Sequence, residues 1–539
     1  MISVSRIEIR KKEIENCAKI NLVIGPNNCG KTVFLNELYQ VLTDVIIPNE
    51  IKWINDLTIH YEKLADFIRK LLPNAWNSSS EQVISLRDAG YRFWRSRQDL
   101  WNQVVFEECR RLNEKIGEYV ISHVQSNSGL KQLLKFISFI TVARERCNDR
   151  LQRHFSVNIQ NLFSDSSDNP VSYLCKNRES LSRISENIQS VFGIKVGFDN
   201  LQQGEKSLRI LPETEIPGAT NTEETAKLWV ERSPLVASQG DGIGAYVRLA
   251  LSLLGPYQSI VLIDEPEAFL HPPQCRAIGN LVADLAVSEN KQVFIATHNS
   301  DILRGILNSN MSFIKIFYLS RRADVFSYSS IDALDIQQVL ESKSTLINEK
   351  ILSSFFYRKT ILCESENDRT FYEHAAARFD WESFQDVNFI GLNGKDQVFS
   401  IFKKLKQLGL NVGCIVDIDF LIDGQVPDGP ANQQIKDILS SCRGMLNKAI
   451  SRKKTSRLEI KKLGIHYFEK EVPSIVADLV SLISALSKIG IYVVREGELE
   501  SWTRDEIRTQ WDLQKSLDII NNRENELLKC FLKSVLRYW

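Results

Sequence analysis

The chain predicts an α/β protein in two parts: a nucleotide-binding fold interrupted by a helical insertion, and then a smaller Rossmann-like domain. Three observations carry this. Near the start, "NLVIGPNNCGKTVFLNEL" sets a glycine-rich turn between a buried strand and a helix. Much later, "QSIVLIDEPEAFLHP" and "QVFIATHNSD" are short runs of β-formers that end in acidic residues or a histidine. Finally, "RKTILCESENDRTFYEHAAARF", "VNFIGLNGKD" and "VGCIVDIDFL" alternate strands with helical stretches, the pattern of a small parallel sheet.

A length of 539 residues exceeds one core and predicts about two to four domains. With 67 basic and 67 acidic residues the net charge is zero, which excludes a uniformly basic nucleic-acid coat and leaves a local basic groove open. The ten cysteines form no CxxC pair, and the seven histidines do not cluster with them, as expected of reduced thiols in a cytosolic protein. "MISVSRIEIRKKEIEN" alternates as a strand and lacks the apolar centre of a signal peptide. No apolar run approaches the ~20 residues a membrane span needs. The expectation is a cytoplasmic protein without membrane contact.

The first motif fits GxxxxGK[ST] over Gly25, Pro26, Asn27, Asn28, Cys29, Gly30, Lys31 and Thr32. Its backbone N–H groups and helix N-terminus can cradle phosphates, with Lys31 reaching the β/γ oxygens and the Thr32 hydroxyl holding Mg²⁺. Ile260 to Ile263 lead into Asp264, placed to bind Mg²⁺, and Glu265, placed to orient or deprotonate an attacking water. The strand "QVFIAT" ends in His298, well placed to touch a γ-phosphate. Upstream, Ser238 to Gly242 opens an amphipathic helix and is another potential anion site.

In this order the segments resemble the ABC-type ATPases of the SMC-like branch. GPNNCGKT is similar to their Walker A, SQGDG to their signature, VLIDEPEAFLHP to Walker B and ATHNSD to the switch-histidine segment. The resemblance implies ATP as ligand and a homodimer or higher oligomer, in which Ser238 and Gly240 of one subunit cap the γ-phosphate on another. Asp241 departs from the common LSGGQ and brings a negative charge near that phosphate.

The organisation expected is an ATPase part at 1–49, a helical insertion for dimerisation or partner binding at 50–190, the rest of the ATPase at 191–350 and the second domain at 351–539. "FGIKVGF" and "KSLRIL" are expected to rejoin the ATPase sheet, and Ser342 to Asn348 to form a linker.

In the second domain Glu364 stands at a strand end and Asp368 one helical turn on. Asp417 and Asp419 read as alternate positions at the end of one strand, pointing the same way. Ligands of parallel sheets sit at the carboxyl ends of the strands, so the four carboxylates should converge and suit Mg²⁺ or Mn²⁺. "SRKKTSRLEIKK" is the densest basic run and fits either a DNA backbone contact or a solvated helix face.

This arrangement resembles the TOPRIM domain of topoisomerases, primases and some nucleases. An SMC-like ATPase followed by TOPRIM resembles the OLD (overcoming lysogenization defect) family. That resemblance implies an ATP-dependent, metal-dependent DNA endonuclease of bacterial anti-phage defence. It implies two metal ions held by Glu364, Asp368, Asp417 and Asp419, with Glu500 (Glu498 as second choice) after a late strand, and Lys529 or Lys533 as a completing lysine. It implies DNA as partner, and in some relatives a reverse transcriptase with its RNA–DNA hybrid or another defence protein. The alternative is a nucleotide-gated DNA-binding sensor or scaffold. A topoisomerase would need a tyrosine-bearing cleavage domain for which little chain remains, and a primase of the DnaG type a zinc module that is absent.

Overall fold

The computed structural model describes residues 2–9, 13–44, 53–61, 117–120, 131, 141–146, 155–158, 170–198, 205–212, 231–254, 258–322, 325–340, 345–424, 426, 432–453, 457–503, 512–522 and 525–537. They fall into two compact units, Met1–Leu334 and Asp335–Trp539. Among the described residues no helix is long and apolar enough to cross a membrane.

Strands of the first unit are β1 (Ile2–Ile9), β2 (Glu13–Asn16), β3 (Ile20–Ile24), β4 (Ile54–Tyr61), β5 (Gly117–Val120), β6 (Val142–Glu145), β7 (Ser156–Asn158), β8 (Lys195–Phe198), β9 (Glu205–Leu211), β10 (Ile260–Asp264), β11 (Gln292–Ala296), β12 (Ile314–Arg322) and β13 (Val325–Asp332). The central sheet has the order β13-β12-β3-β11-β10-β6 and is parallel except for the β12–β13 hairpin. Every residue of β3, β10 and β11 is buried, as near-continuous apolar strands covered on both faces require. A second sheet, β2-β1-β4-β5, is antiparallel. Gln292 pins it to the first: its side chain accepts the Val4 N–H at 2.7 Å and donates to the carbonyls of Val4 and Ala18 at 2.9 Å.

Three sequence expectations change here. Most of 50–190 lies outside the described residues, but what is described includes β4, β6 and β7, and β6 is an edge of the central sheet. The alternation in "INDLTIHY" is the signal that could have given β4, whereas β6 is a four-residue strand too short to stand out from a Leu- and Arg-rich background. β8 and β9 do not rejoin the central sheet; they form a three-stranded antiparallel sheet, β7-β9-β8. The linker expected at 342–348 overlaps a helix, Thr345–Ser353.

The second unit has β14 (Lys359–Cys363), β15 (Val387–Gly391), β16 (Val412–Val416) and β17 (Ile491–Val493), all parallel in the order β15-β14-β16-β17. The helix Thr345–Ser353 is bound to this sheet, since the Asn388 amide donates to Lys350 O and Ser353 Oγ at 3.3 and 3.1 Å. One apolar cluster joins Ile361, Phe371, Tyr372, Trp502, Leu528 and Leu532, fastening the helices Glu366–Phe379 and Glu526–Leu536 over one face. Within it Trp502 Nε1 donates to the Tyr372 hydroxyl at 3.1 Å.

Lys359, at the first position of β14, is 1% exposed, and its ammonium donates to Tyr492 Oη at 2.8 Å and to the Arg537 carbonyl at 2.7 Å. Lys359→Met removes the charge but strands both oxygens. We expect a loss of about 1–3 kcal/mol from the second unit, read as a lower urea midpoint with unchanged slope.

Candidate functional site

The order of the central sheet decides which loops meet. β11 lies between β3 and β10, so the loops after these three strands open side by side at their carboxyl ends. After β3, Gly25 turns with φ 150°, and a Cβ there would come within 2.0 Å of the Leu319 carbonyl oxygen, so the turn requires glycine. Lys31 opens the helix Lys31–Asp44 and donates to the carbonyls of Gly25 and Pro26 at 2.8 and 3.0 Å. The Thr32 hydroxyl donates to Asp264 Oδ1 at 3.3 Å, which sets two expected Mg²⁺-binding groups side by side.

Glu265 follows β10 in the left-handed region, φ 51°, and its N–H donates to the Ala296 carbonyl at 2.8 Å. Such a conformation in a non-glycine residue costs on the order of 1–3 kcal/mol. Its carboxylate is half-exposed, and Oε1 lies 3.9 Å from His298 Nδ1. A closer partner of His298 is a residue the sequence reading passed over. Glu267 Oε1 stands 3.0 Å from Nδ1, and this hydrogen bond holds the imidazole above its ordinary value against the opposing effect of burial. Burial pushes the Glu267 carboxyl up, but the hydrogen bond and charge of His298 bring it below the ordinary glutamate value.

Ser238 closes a short turn, and its hydroxyl donates back to the Leu235 carbonyl at 2.8 Å. Gly240 precedes the helix Asp241–Leu254, and both Ser238 and Gly240 are exposed.

In the second unit the chain leaves β14 for β15 on one side and then returns to β16 on the other. The switch point therefore lies between β14 and β16, and the crevice at their carboxyl ends is where a ligand fits. Glu364 follows β14, and Asp417 follows β16. The Asp417 N–H is 3.5 Å from Glu364 Oε1. Ser365 caps the helix Glu366–Phe379, accepting the Asp368 N–H at 3.1 Å and donating to Asp368 Oδ2 at 2.9 Å.

The strand ends at Val416, so Asp417 and Asp419 are not its alternate positions. They lie in the following turn, where Asp419 takes helical angles and directly precedes the helix Phe420–Asp423. The turn serves the same end, since Ile418 N–H donates to Gly497 O at 2.9 Å and faces the core.

Burial raises Glu364, Asp368 and Asp417, and each is raised further by a neighbouring acid: Glu364 by Asp419, Asp368 by Glu500, Asp417 by Glu364. Asp417 is pushed up to about 7. Glu500, in the turn Leu499–Trp502, thus brings its charge to the cluster, whereas the Glu498 carboxylate caps that turn. The lysine that reaches the carboxylates is Lys461, from the basic run. Its ammonium is 2.6 Å from Asp417 Oδ2 and 3.9 Å from Asp419 Oδ1. Lys529 instead pairs with Glu526 at 3.5 Å, and Lys533 lies in the last turn of its helix. Lys395 adds a contact of 3.6 Å to Asp419.

Among the described residues no three His, Cys, Asp or Glu side chains are gathered closely enough to hold a metal ion, and Lys461 stands between the two aspartates. The donor set nonetheless suits a hard divalent cation: all oxygen, largely buried and mutually repelling.

The family profile described as "AAA domain, putative AbiEii toxin, Type IV TA system" matches residues 212–304, which hold Ser238, Asp264, Glu265 and His298. That of the "Overcoming lysogenization defect protein-like, TOPRIM domain" matches residues 355–419, from before Glu364 to Asp419. Endonuclease GajA of Bacillus cereus (strain HuB5-5) is 22% identical over 458 residues, covering 68% of this chain and 65%, just under two thirds, of that relative's length. Among solved structures, the Smc head domain from Pyrococcus furiosus bound to the C-terminal domain of ScpA covers 63% of this chain and 99% of its own at 12% identity and a TM-score of 0.31. The SMC head domain from Thermotoga maritima covers 61% of this chain and 97% of its own at 10% identity and a TM-score of 0.29. These likenesses are remote, and the assignment of unit 1 stands on its strand order and motifs.

An AAA domain and a TOPRIM domain on one chain imply, in general, use of a nucleotide and a divalent metal. Here the TOPRIM domain is of the OLD kind, and the chain is homologous to Endonuclease GajA.

A divalent cation bound at Asp417 and Asp419 would have to displace the Lys461 ammonium. Lys461→Met should therefore tighten Mn²⁺ binding by roughly tenfold, about 1.4 kcal/mol, in calorimetric titration without nucleotide. Unchanged or weaker binding would show that the ammonium does not occupy the metal's place.

Proposed function

We propose that the chain hydrolyses ATP with Mg²⁺ in its first unit and cleaves DNA phosphodiesters with Mg²⁺ or Mn²⁺ in its second, as an anti-phage defence nuclease. The observation that supports this most is the convergence of Glu364, Asp368, Asp417 and Glu500 charges at the switch point of a TOPRIM sheet. The homologous protein's name, endonuclease, fits the same chemistry.

In the first unit Lys31 turns from its carbonyls to the β/γ oxygens while the Gly25–Thr32 backbone cradles phosphate. Thr32 and Asp264 hold Mg²⁺. Glu265 takes the proton of the attacking water, and His298 donates to the γ-phosphate. Ser238 and Gly240, exposed on their loop, cap nucleotide on a second copy, so the protein works as a dimer or larger.

In the second unit Glu364, Asp368, Asp417, Asp419 and Glu500 hold the metal. When bound, metal supplies Lewis acidity and a nucleophilic water at neutral pH. Burial of these carboxylates keeps bulk water from diluting their charge, and Lys461 and Lys395 leave positive charge at the rim where a DNA phosphate would approach.

Glu265→Gln should retain nucleotide and slow hydrolysis by at least ~100-fold, the scale of losing a general base. Unchanged turnover removes Glu265 from that role. Chelation should abolish plasmid nicking. Asp417→Ala, Asp419→Ala and Glu364→Ala should each lower nicking by orders of magnitude and leave ATP hydrolysis near wild type, because the P-loop is untouched. Normal nicking by both aspartate variants would place the chemistry elsewhere.

A further inference from the structure

We infer that Glu267 is a positioning residue of the nucleotide site, whose buried carboxylate holds His298 as a doubly protonated imidazolium with Nε2–H presented to the γ-phosphate. The inference rests on the ATPase reading and adds a residue to it.

Glu267 lies two positions past Glu265 in "DEPEAFLHP" and is 8% exposed. Both its oxygens are spent on the loop after β11. Oε1 accepts the backbone N–H of His298 at 2.9 Å and faces Nδ1 of the same ring at 3.0 Å. Oε2 accepts the Thr297 hydroxyl at 2.9 Å. The Thr297 oxygen in turn accepts the Asn299 N–H at 3.0 Å, and the Asn299 side chain caps the helix Ser300–Leu307 through the N–H groups of Asp301 and Ile302. One carboxylate thereby sets the register of the whole loop and the direction of its imidazole.

The tautomer follows from the geometry. With Nδ1–H spent on Glu267, a neutral ring would carry only a lone pair at Nε2 and would repel a phosphate oxygen. Donation from Nε2 requires the second proton, and a carboxylate 3.0 Å from Nδ1 is what retains it. The charged groups facing His298 are Glu267, then Glu265, with Lys31 opposing both. Of the two acids, Glu265 is half-exposed and 3.9 Å away, so Glu267 dominates.

Glu267→Gln is nearly isosteric, and Glu267→Asp keeps the charge but shortens the reach. The test uses the full chain with ring-labelled histidine, the His298 signal being assigned by its loss in His298→Asn. The expected result is a His298 proton affinity about tenfold lower in Glu267→Gln, with a smaller change in Glu267→Asp. ATP hydrolysis should show kcat down roughly 10–100-fold, KM within about threefold, and an alkaline fall in kcat displaced to lower pH. An unchanged His298 titration overturns the inference, as does unchanged kcat beside an active wild type. A loss of melting temperature with the titration intact makes Glu267 a loop clamp only. If wild type never hydrolyses ATP, the ATPase reading falls, while the titration still decides whether Glu267 governs His298. If Glu267→Gln does not fold, Glu267→Asp carries the same titration.

Discussion

A carboxylate at the end of a buried parallel strand has left water and must find a proton, a cation or a set of N–H groups. Both units are organised around that constraint. Their sheets deliver acids to the carboxyl edge, and each acid is matched to a particular compensating group. Asp264 takes the Thr32 hydroxyl, Glu267 takes His298 with Thr297, and Asp417 takes Lys461. Remove these partners and the loops that carry the acids have little reason to keep their shape.

The two units meet the constraint differently. In the first, hydrogen-bond donors come from neighbouring loops of the same sheet, so compensation is built into the topology. In the second, the compensating charge comes from outside the sheet, on the helix Arg457–Leu463, whose last turn is packed under the segment after β17: Gly464 N–H closes on Ile460, and Ile465 N–H donates to Arg495 O at 2.7 Å. A cation on a separate helix can withdraw without unfolding the strands. The acids after β14 and β16 thus lean on a positive charge that the strands themselves do not carry.

What could be read from the sequence follows the range of each interaction. The glycine-rich turn occupies consecutive residues and its geometry is local, so Gly25 to Thr32 fall where the spacing put them. Glu364 and the two aspartates stood out because they follow runs of β-formers, and Asp368 because it lies one helical turn past Glu364. Lys461 did not, since it meets Asp417 across 44 residues and its own run of basic residues fits an ordinary solvated helix equally well. Glu267 stood in plain view beside Glu265, but only the pairing of β10 with β11 reveals what it holds. β6 was missed because it is too short to stand out, whereas β8 and β9 announce themselves as strands but not the sheet they join.

The place of β3 in the central sheet bears on how the protein comes into being. It precedes both of its partners in the chain, β11 and β12, which begin at Gln292 and Ile314. Both edges of this fully buried strand therefore stay open until β11 and β12 are made, and the pairings that close them join residues 20–24 to residues 293–296 and 314–318. Such long-range parallel pairing is slow, and an exposed apolar edge invites association with other chains. Nascent chains stalled before β12 should depend on holding chaperones, and the nucleotide cradle, though encoded before β11 and β12, can be finished only once both are in place.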